Sequence, residues 1–227
     1  MNNSSFSNKL TWVAIVFYTC INLIAGLSDN ALVQTLYPFA AVLIFMVFSL
    51  SHGITNFGGK QMLIYFALTF GISWSYETIS ILTGFPFGHY HYTDLLGPKL
   101  WLVPYVIMPA YFGVLYCSWI LAHILLDKFT LQYSRETKFA IPFIASFVMV
   151  MWNLCFDPFM STIRKDWIWE DGGAYYGVPF QNFMGWFLCV YTILQVFSFY
   201  LQRQAKTAVP QPKLHSLGNW LQPVLFY

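Results

Sequence analysis

The sequence predicts an all-α integral membrane protein, a polytopic bundle of about six transmembrane helices. Of its 227 residues, 58% are apolar and only 9% are charged, whereas soluble domains carry about 25% charged residues. So few charges cannot cover a folded surface in water, which excludes a soluble enzyme. The apolar residues also form long continuous runs instead of alternating, and this favours membrane helices over a membrane β-barrel.

Six apolar runs are long enough to cross a bilayer, whose core needs about 20 mainly apolar residues per helix. We place them at residues 10–27, 31–51, 61–83, 100–126, 139–156 and 179–201. The first run lacks the cleavage site of a signal peptide, so we expect a retained helix. The apolar tail at 217–227 is too short to span, and it predicts an interfacial segment or part of a seventh helix.

Lysine and arginine are unevenly divided between alternate loops. One side holds Lys9, Lys60, Lys128, Arg135, Lys138, Arg203, Lys206 and Lys213, and the other holds Lys99, Arg164 and Lys165. The positive-inside rule therefore predicts that both termini are cytoplasmic. We expect residues 1–227 to form a single multi-pass domain in the bacterial inner (plasma) membrane. The hairpins after the third and fifth runs then face outward. Their similar placement of Gly and Pro indicates either an internal repeat or the ordinary use of these residues in membrane loops.

Two carboxyl groups lie within predicted helices, where an ionisable group is costly and by default marks function. Glu77 shares one helix face with Thr69, Ser73 and Ser80. Asp157 ends the fifth run, and Asn153 precedes it by one helical turn on the same face. Alternatively, each carboxyl only hydrogen-bonds a neighbouring helix or caps a loop. The candidate catalytic residues are Asp157, Glu77, Asn153 and, in the outer loop, Asp94.

Aromatic side chains crowd both outer hairpins. An aromatic belt at the membrane interface is one explanation. Beside two buried acids, the rings favour instead a pocket that stabilises positive charge and opens among helices three to six near the outer leaflet. Its expected members are Phe85, Phe87, Tyr90, Tyr92, Trp167, Trp169, Tyr176, Phe180 and Trp186.

Several other chemistries do not fit the sequence. The histidines form no di-iron box, the cysteines have no CxxC spacing, and no glycine-rich phosphate or dinucleotide loop is present. The net charge of +2 and the absence of a basic stripe argue against nucleic acid. We therefore expect no metal and no cofactor, and we expect a lipid-soluble substrate.

Two long motifs carry a family resemblance. They are GFPFGHYHYTD at 84–94 and GGAYYGVPFQNFMGW at 172–186, accompanied by Asp157-Pro158 and Trp167-Ile168-Trp169. Together they resemble the membrane carotenoid-biosynthesis family that contains the carotenoid hydratases. The resemblance covers roughly residues 53–188.

The resemblance implies an enzyme that adds water to the terminal double bond of a linear or monocyclic carotenoid. Asp157 would donate the proton, Glu77 or Asn153 would orient the water, and Asn182 would join the aromatic residues in binding the substrate. Association with other carotenoid-pathway enzymes is a further expectation. Two alternatives stay open: a terpenoid or carotenoid cyclase that uses the same cation, and a carotenoid-binding protein without catalysis.

Overall fold

The computed structural model describes residues 3–128, 134–204 and 217–227 of the chain. Lys206 and Lys213, which entered the count of loop charges, lie outside these residues. The described part confirms the predicted all-α membrane bundle. Its helices are α1 (Asn3–Leu27), α2 (Ala31–Phe57), α3 (Gly59–Thr83), α4 (Ile107–Leu125), α5 (Thr137–Asp157), α6 (Phe180–Gln204) and α7 (Leu217–Phe226).

Within the residues that the structure describes, five helical segments are long and apolar enough to cross a membrane. They are Ser7–Leu27, Ala31–Phe57, Ile107–Leu125, Thr137–Arg164 and Phe180–Gln204. The helix α3 is equally long, but the polar face around Ser73 and Glu77 lowers its hydropathy, so it does not qualify by composition. It packs against α4 and α6, and this places the polar face inside the bundle.

Proline changes two of the predicted boundaries. The fourth helix was predicted from residue 100, but residues 99–104 form a tight hairpin of β2 (Lys99–Leu100) and β3 (Val103–Pro104). A helix that began at residue 100 would need an amide hydrogen at residue 104, which Pro104 lacks, whereas proline is tolerated in an edge strand. Conversely, the helix does not break at Asp157. It continues from Pro158 to Arg164 as a π-helix, whose wider turns accommodate an amide without a hydrogen.

The helix α4 occupies the centre of the bundle. It packs against α2, α3, α5 and α7, while α1 lies along α2 and α6 lies along α5. Its side chains Phe112, Leu115, Tyr116 and Trp119 are almost completely buried. The remaining helices therefore surround one apolar core.

Hydrogen bonds between helix ends define two sides of the bundle. Ser7 Oγ donates to Ser51 O (2.8 Å), which joins the start of α1 to the end of α2. On the opposite side, Arg164 Nη1 donates to Gln34 Oε1 (3.1 Å) near the start of α2. We call this the hairpin side, since it carries the loops 84–106 and 158–179. The arrangement agrees with the alternation of loops, while the cytoplasmic location of the termini stays a prediction.

The two loops on the hairpin side are joined by a short antiparallel sheet. The strand β1 (Tyr90–Tyr92) pairs with β4 (Trp167–Trp169), with Tyr90 opposite Trp169 and Tyr92 opposite Trp167. A backbone bond from Thr93 N to Asp166 O (3.0 Å) extends the pairing. The sheet links the α3–α4 hairpin to the α5–α6 hairpin.

The helix α6 packs against the first hairpin through Gly185. A Cβ at this position would lie 2.6 Å from Phe87 Cδ1 and 2.9 Å from the Pro86 carbonyl. We expect Gly185→Ala to destabilise the protein by about 1–3 kcal/mol through overpacking. Gly71→Ala is the control, because Gly71 is exposed within α3 with nothing near its Cβ, and alanine there gains up to about 1 kcal/mol of helix propensity.

Thermal unfolding of the purified protein in detergent measures both variants. The melting temperature should fall for Gly185→Ala and should hold or rise for Gly71→Ala. An unchanged melting temperature for Gly185→Ala would contradict the close packing of α6 on the first hairpin.

The orientation of the bundle is tested by labelling single cysteines from either side of the membrane. The accessible native thiols Cys20 and Cys155 are first replaced by serine. A membrane-impermeant maleimide should then label Asp94→Cys in intact cells and label Arg135→Cys only after lysis. The reverse pattern would show that the positive-inside assignment is inverted.

Candidate active site

An apolar cavity lies on the hairpin side of the bundle, beneath the β1–β4 sheet. The space between its lining atoms, the open mouth and the solvent in it included, is about 950 Å³. Its apolar walls come from α2, α4 and α5, with Tyr18 added from α1. The predicted placement among helices three to six was therefore incomplete, because α2 also forms a wall.

Glu77 reaches this cavity from α3 and is only 3% exposed. Three tyrosine hydroxyls donate to its carboxyl group: Tyr111 to Oε1 (2.7 Å), and Tyr92 (2.7 Å) and Tyr90 to Oε2. One turn further along, Ser80 Oγ accepts the amide hydrogen of Phe87 (3.0 Å). The polar face of α3 thus both presents the acid and secures the hairpin that carries two of its partners.

Asp157 reaches the cavity from the end of α5 and is 1% exposed. The indole nitrogens of Trp167 (3.0 Å) and Trp169 (3.4 Å) donate to Oδ1. The amides of Asn182 (2.5 Å) and Asn153 (3.3 Å) donate to Oδ2. All four donors are neutral, so hydrogen bonding rather than an ion pair stabilises charge on this buried carboxyl.

The β1–β4 sheet explains how two distant acids come to share one cavity. Alternate residues of a strand face the same side, so Tyr90, Tyr92, Trp167 and Trp169 present their rings together. The cross-strand centroids are 4.9 Å apart for Tyr90 and Trp169 and 6.0 Å apart for Tyr92 and Trp167. Each tyrosine bonds Glu77 while its partner tryptophan bonds Asp157, and the aromatic face therefore lies between the carboxyls.

The tyrosines of β1 remain neutral hydrogen-bond donors. Burial raises the pKa of Tyr90 and of Tyr92 well above the ordinary value, and the charge of Glu77 raises both further. Their hydroxyl groups can donate or accept a hydrogen bond. An indole N–H can only donate, so the surroundings of the two acids differ in kind.

Most of the predicted site residues come together. Lining the cavity with Glu77 and Asp157 are Phe87, Tyr90, Tyr92, Trp167, Trp169, Asn182 and Trp186. Asn153 contacts Asp157 without appearing in the cavity wall.

Four predicted residues lie elsewhere. The Asp94 side chain is fully exposed and pairs with Lys99 Nζ at 3.3 Å. Phe85, Tyr176 and Phe180 are 61%, 73% and 73% exposed. Phe85 and Tyr176 lie in the loops and Phe180 begins α6, so none of the three belongs to the sheet that faces the cavity.

Sequence reasoning missed Tyr111 and the α2 wall. Tyr111 supplies the third hydroxyl on Glu77 and stacks on Trp186 with centroids 4.3 Å apart. In a chain that is 21% aromatic, one more tyrosine within an apolar run carries little signal. On α2, Tyr37, Ala41 and Phe45 line the cavity at a spacing of four residues, a periodicity that could have identified the face.

Within the described ranges, His, Cys, Asp and Glu side chains form no group of three or more that could hold a metal ion. The polar side chains that line the cavity are the two carboxyls with their tyrosine, tryptophan and asparagine partners, and the tyrosines Tyr18 and Tyr37. This arrangement can protonate a bound molecule and surround a cation with aromatic faces.

Comparison with known proteins shows the family of the chain. A curated relative, the bisanhydrobacterioruberin hydratase of Haloarcula japonica, is 30% identical over 133 residues, which cover 58% of this chain and 43% of the relative. The matched part is thus less than half of that relative's length. No solved structure matches the chain. The profile of the carotenoid biosynthesis protein family matches residues 33–222, a stretch that includes both carboxyls and both hairpins, and the chain belongs to this family.

Proposed function

We propose that the protein is a carotenoid hydratase, which adds water to the terminal carbon–carbon double bond of a linear or monocyclic carotenoid. The observation that carries the proposal is the pair of buried carboxyls, Asp157 and Glu77, in one apolar cavity beside four aromatic rings. Membership in the carotenoid biosynthesis family supports the substrate class. The name of the Haloarcula relative supports hydration.

Asp157 acts as the general acid in this mechanism. Its O–H bond breaks as a C–H bond forms at the alkene carbon that carries one hydrogen, and the electron pair of the double bond supplies the new bond. A tertiary carbocation results at the carbon with two methyl groups. The carboxylate left behind is stabilised by the indole donors of Trp167 and Trp169 and by the amide of Asn182, which are in place before the reaction.

The aromatic face holds the carbocation. The rings of Tyr90, Trp167 and Trp169 lie next to the acids, and Trp186 adds a further ring that is stacked on Tyr111. A ring face attracts a cation by about 0.5–2 kcal/mol, most strongly where water is excluded. Charge on Glu77 adds attraction of the same sign.

Water then captures the carbocation. Its oxygen forms the C–O bond, and the proton it loses returns to the Asp157 carboxylate. The product is a tertiary alcohol, and the acid is regenerated without any transfer of electrons. Asn153 orients the carboxyl group of Asp157 from behind.

The mass of the product tests the reaction class. Pigments from cells that make acyclic carotenoids, with and without the protein, are compared by mass spectrometry. A hydratase adds the mass of one water. A cyclase leaves the mass unchanged and shifts the retention time, and a carrier yields no new pigment; either of these results would refute hydration.

Asp157→Asn should abolish turnover while leaving the fold and pigment binding intact. The amide keeps the size of the carboxyl but cannot protonate an alkene, and loss of a general acid costs about 10²–10⁴-fold in rate. The measurement is hydrated pigment per unit of folded protein. Asp171→Asn, at an exposed carboxyl of the same hairpin, is the matched control and should retain full activity. Normal turnover by Asp157→Asn would place the acid elsewhere.

Glu77→Gln should be less severe. Glutamine keeps one acceptor oxygen for the tyrosines, and its NH2 group can donate to a tyrosine hydroxyl, but it carries no charge. We therefore expect a loss on the order of tenfold to a hundredfold. Part of the cation should be diverted to elimination, which returns an alkene. In D₂O this appears as deuterium in recovered substrate. If Glu77→Gln were inactive and Asp157→Asn active, the two carboxyls would have exchanged roles.

A further inference from the structure

We propose that the substrate enters the cavity sideways from the bilayer, between α2 and α5, and that only one end of the polyene is bound at a time. The rest of the molecule then stays in lipid during the reaction. This inference rests on the proposed function and adds to it the route and the manner of binding.

Both ends of the cavity are closed. On the hairpin side, Arg164 joins the π-helix to α2, since its Nη1 and Nη2 donate to Gln34 Oε1 and O (both 3.1 Å). Asp166 holds the same guanidinium through Nε at 3.0 Å. Towards the middle of the bundle, Phe226 of α7 packs on Tyr18 and Phe45 with centroids 4.8 and 4.6 Å apart.

One side of the cavity is closed by α4. This helix packs against α2 and against α5, and its residues Ile107, Ala110 and Val114 form the back wall. The helices α2 and α5 therefore face each other across the cavity. The side opposite α4 is bounded by Ala41 and Val42 on one helix and by Trp152 and Phe156 on the other, all of them partly exposed.

Shape and polarity favour passage through this side. A carotenoid is a long rigid polyene that cannot fold back, so a molecule whose end group reaches the carboxyls must extend out of the cavity. The carboxyls lie at the hairpin end, and the walls elsewhere are mostly apolar, as a chain that continues into lipid requires. Ala41 stands between Tyr37 and Phe45 on the same face of α2, so the narrowest side chain lies at the centre of the opening.

The first test narrows the opening. Ala41→Trp should lower hydration of lycopene by about tenfold or more, which corresponds to a barrier increase of at least about 1.4 kcal/mol. Hydration of myrcene, a short hydrocarbon with the same terminal alkene and no chain left to pass through the opening, should fall by a much smaller factor than hydration of lycopene. Leu43→Trp, at a lipid-facing position two residues along α2 that is 62% exposed, should leave both reactions unchanged. Equal turnover of lycopene by Ala41→Trp and wild type would overturn the route.

The second test does not depend on catalysis. A photoreactive benzoylphenylalanine replaces Trp152 in the opening or Met151 beside it, whose side chain is 64% exposed to lipid. After irradiation with lycopene, the variant at 152 should give several times more adduct than the variant at 151. Equal adducts would refute entry between α2 and α5. If the variant at 152 gives more adduct but the wild-type protein makes no hydrated product, the route is retained and the proposed hydratase is refuted instead.

Discussion

The pairing of β1 with β4 is the interaction on which the site depends. Three residues of each hairpin form the ladder, yet its register places Tyr90 opposite Trp169 and Tyr92 opposite Trp167. A shift of one residue would turn the rings of one strand away from the cavity, because opposite residues of a ladder share a face. Either Glu77 would then lose two hydroxyl donors or Asp157 would lose both indole donors, and the unsatisfied buried carboxyl would cost several kcal/mol. The hydrogen bonds that the two buried acids require thus favour this one register of the ladder.

The helices provide the conditions under which these acids can act. Burial of Glu77 and Asp157 in an apolar bundle strengthens every electrostatic interaction within the cavity. The central helix α4 contributes Tyr111 and the back wall of the cavity, and α2 forms a second wall. The π-helical turn after Asp157 has a second effect, because it carries Arg164 to Gln34 and so joins the wall of α5 to that of α2.

Much of this could be predicted from residues whose chemistry conflicts with their surroundings. A carboxyl within an apolar run is costly, and that cost identified Glu77 and Asp157. An aromatic residue in a membrane loop is favourable whether it faces the cavity or faces outward. Without the strand register, Tyr90 and Trp169 therefore could not be separated from Phe85 and Tyr176. The α2 wall was missed for a related reason: side chains that face lipid and side chains that face an apolar cavity have the same composition. The predicted helix ended at Asp157 because Pro158 is a strong sequence signal for the end of a helix, and a π-helical turn has no signal of comparable strength.

The donors of each carboxyl come mainly from the hairpin that follows it in the chain. Tyr90 and Tyr92 lie 13 and 15 residues after Glu77, and Trp167 and Trp169 lie 10 and 12 residues after Asp157. Each helix pair therefore carries donors for its own acid as it enters the membrane, before the other pair is synthesised. Assembly then joins two halves that each bring their own donors, and the six-residue ladder fixes the geometry of both sets. Donors that lie close to their acid in the chain lower the cost of placing two carboxyls in lipid one after the other.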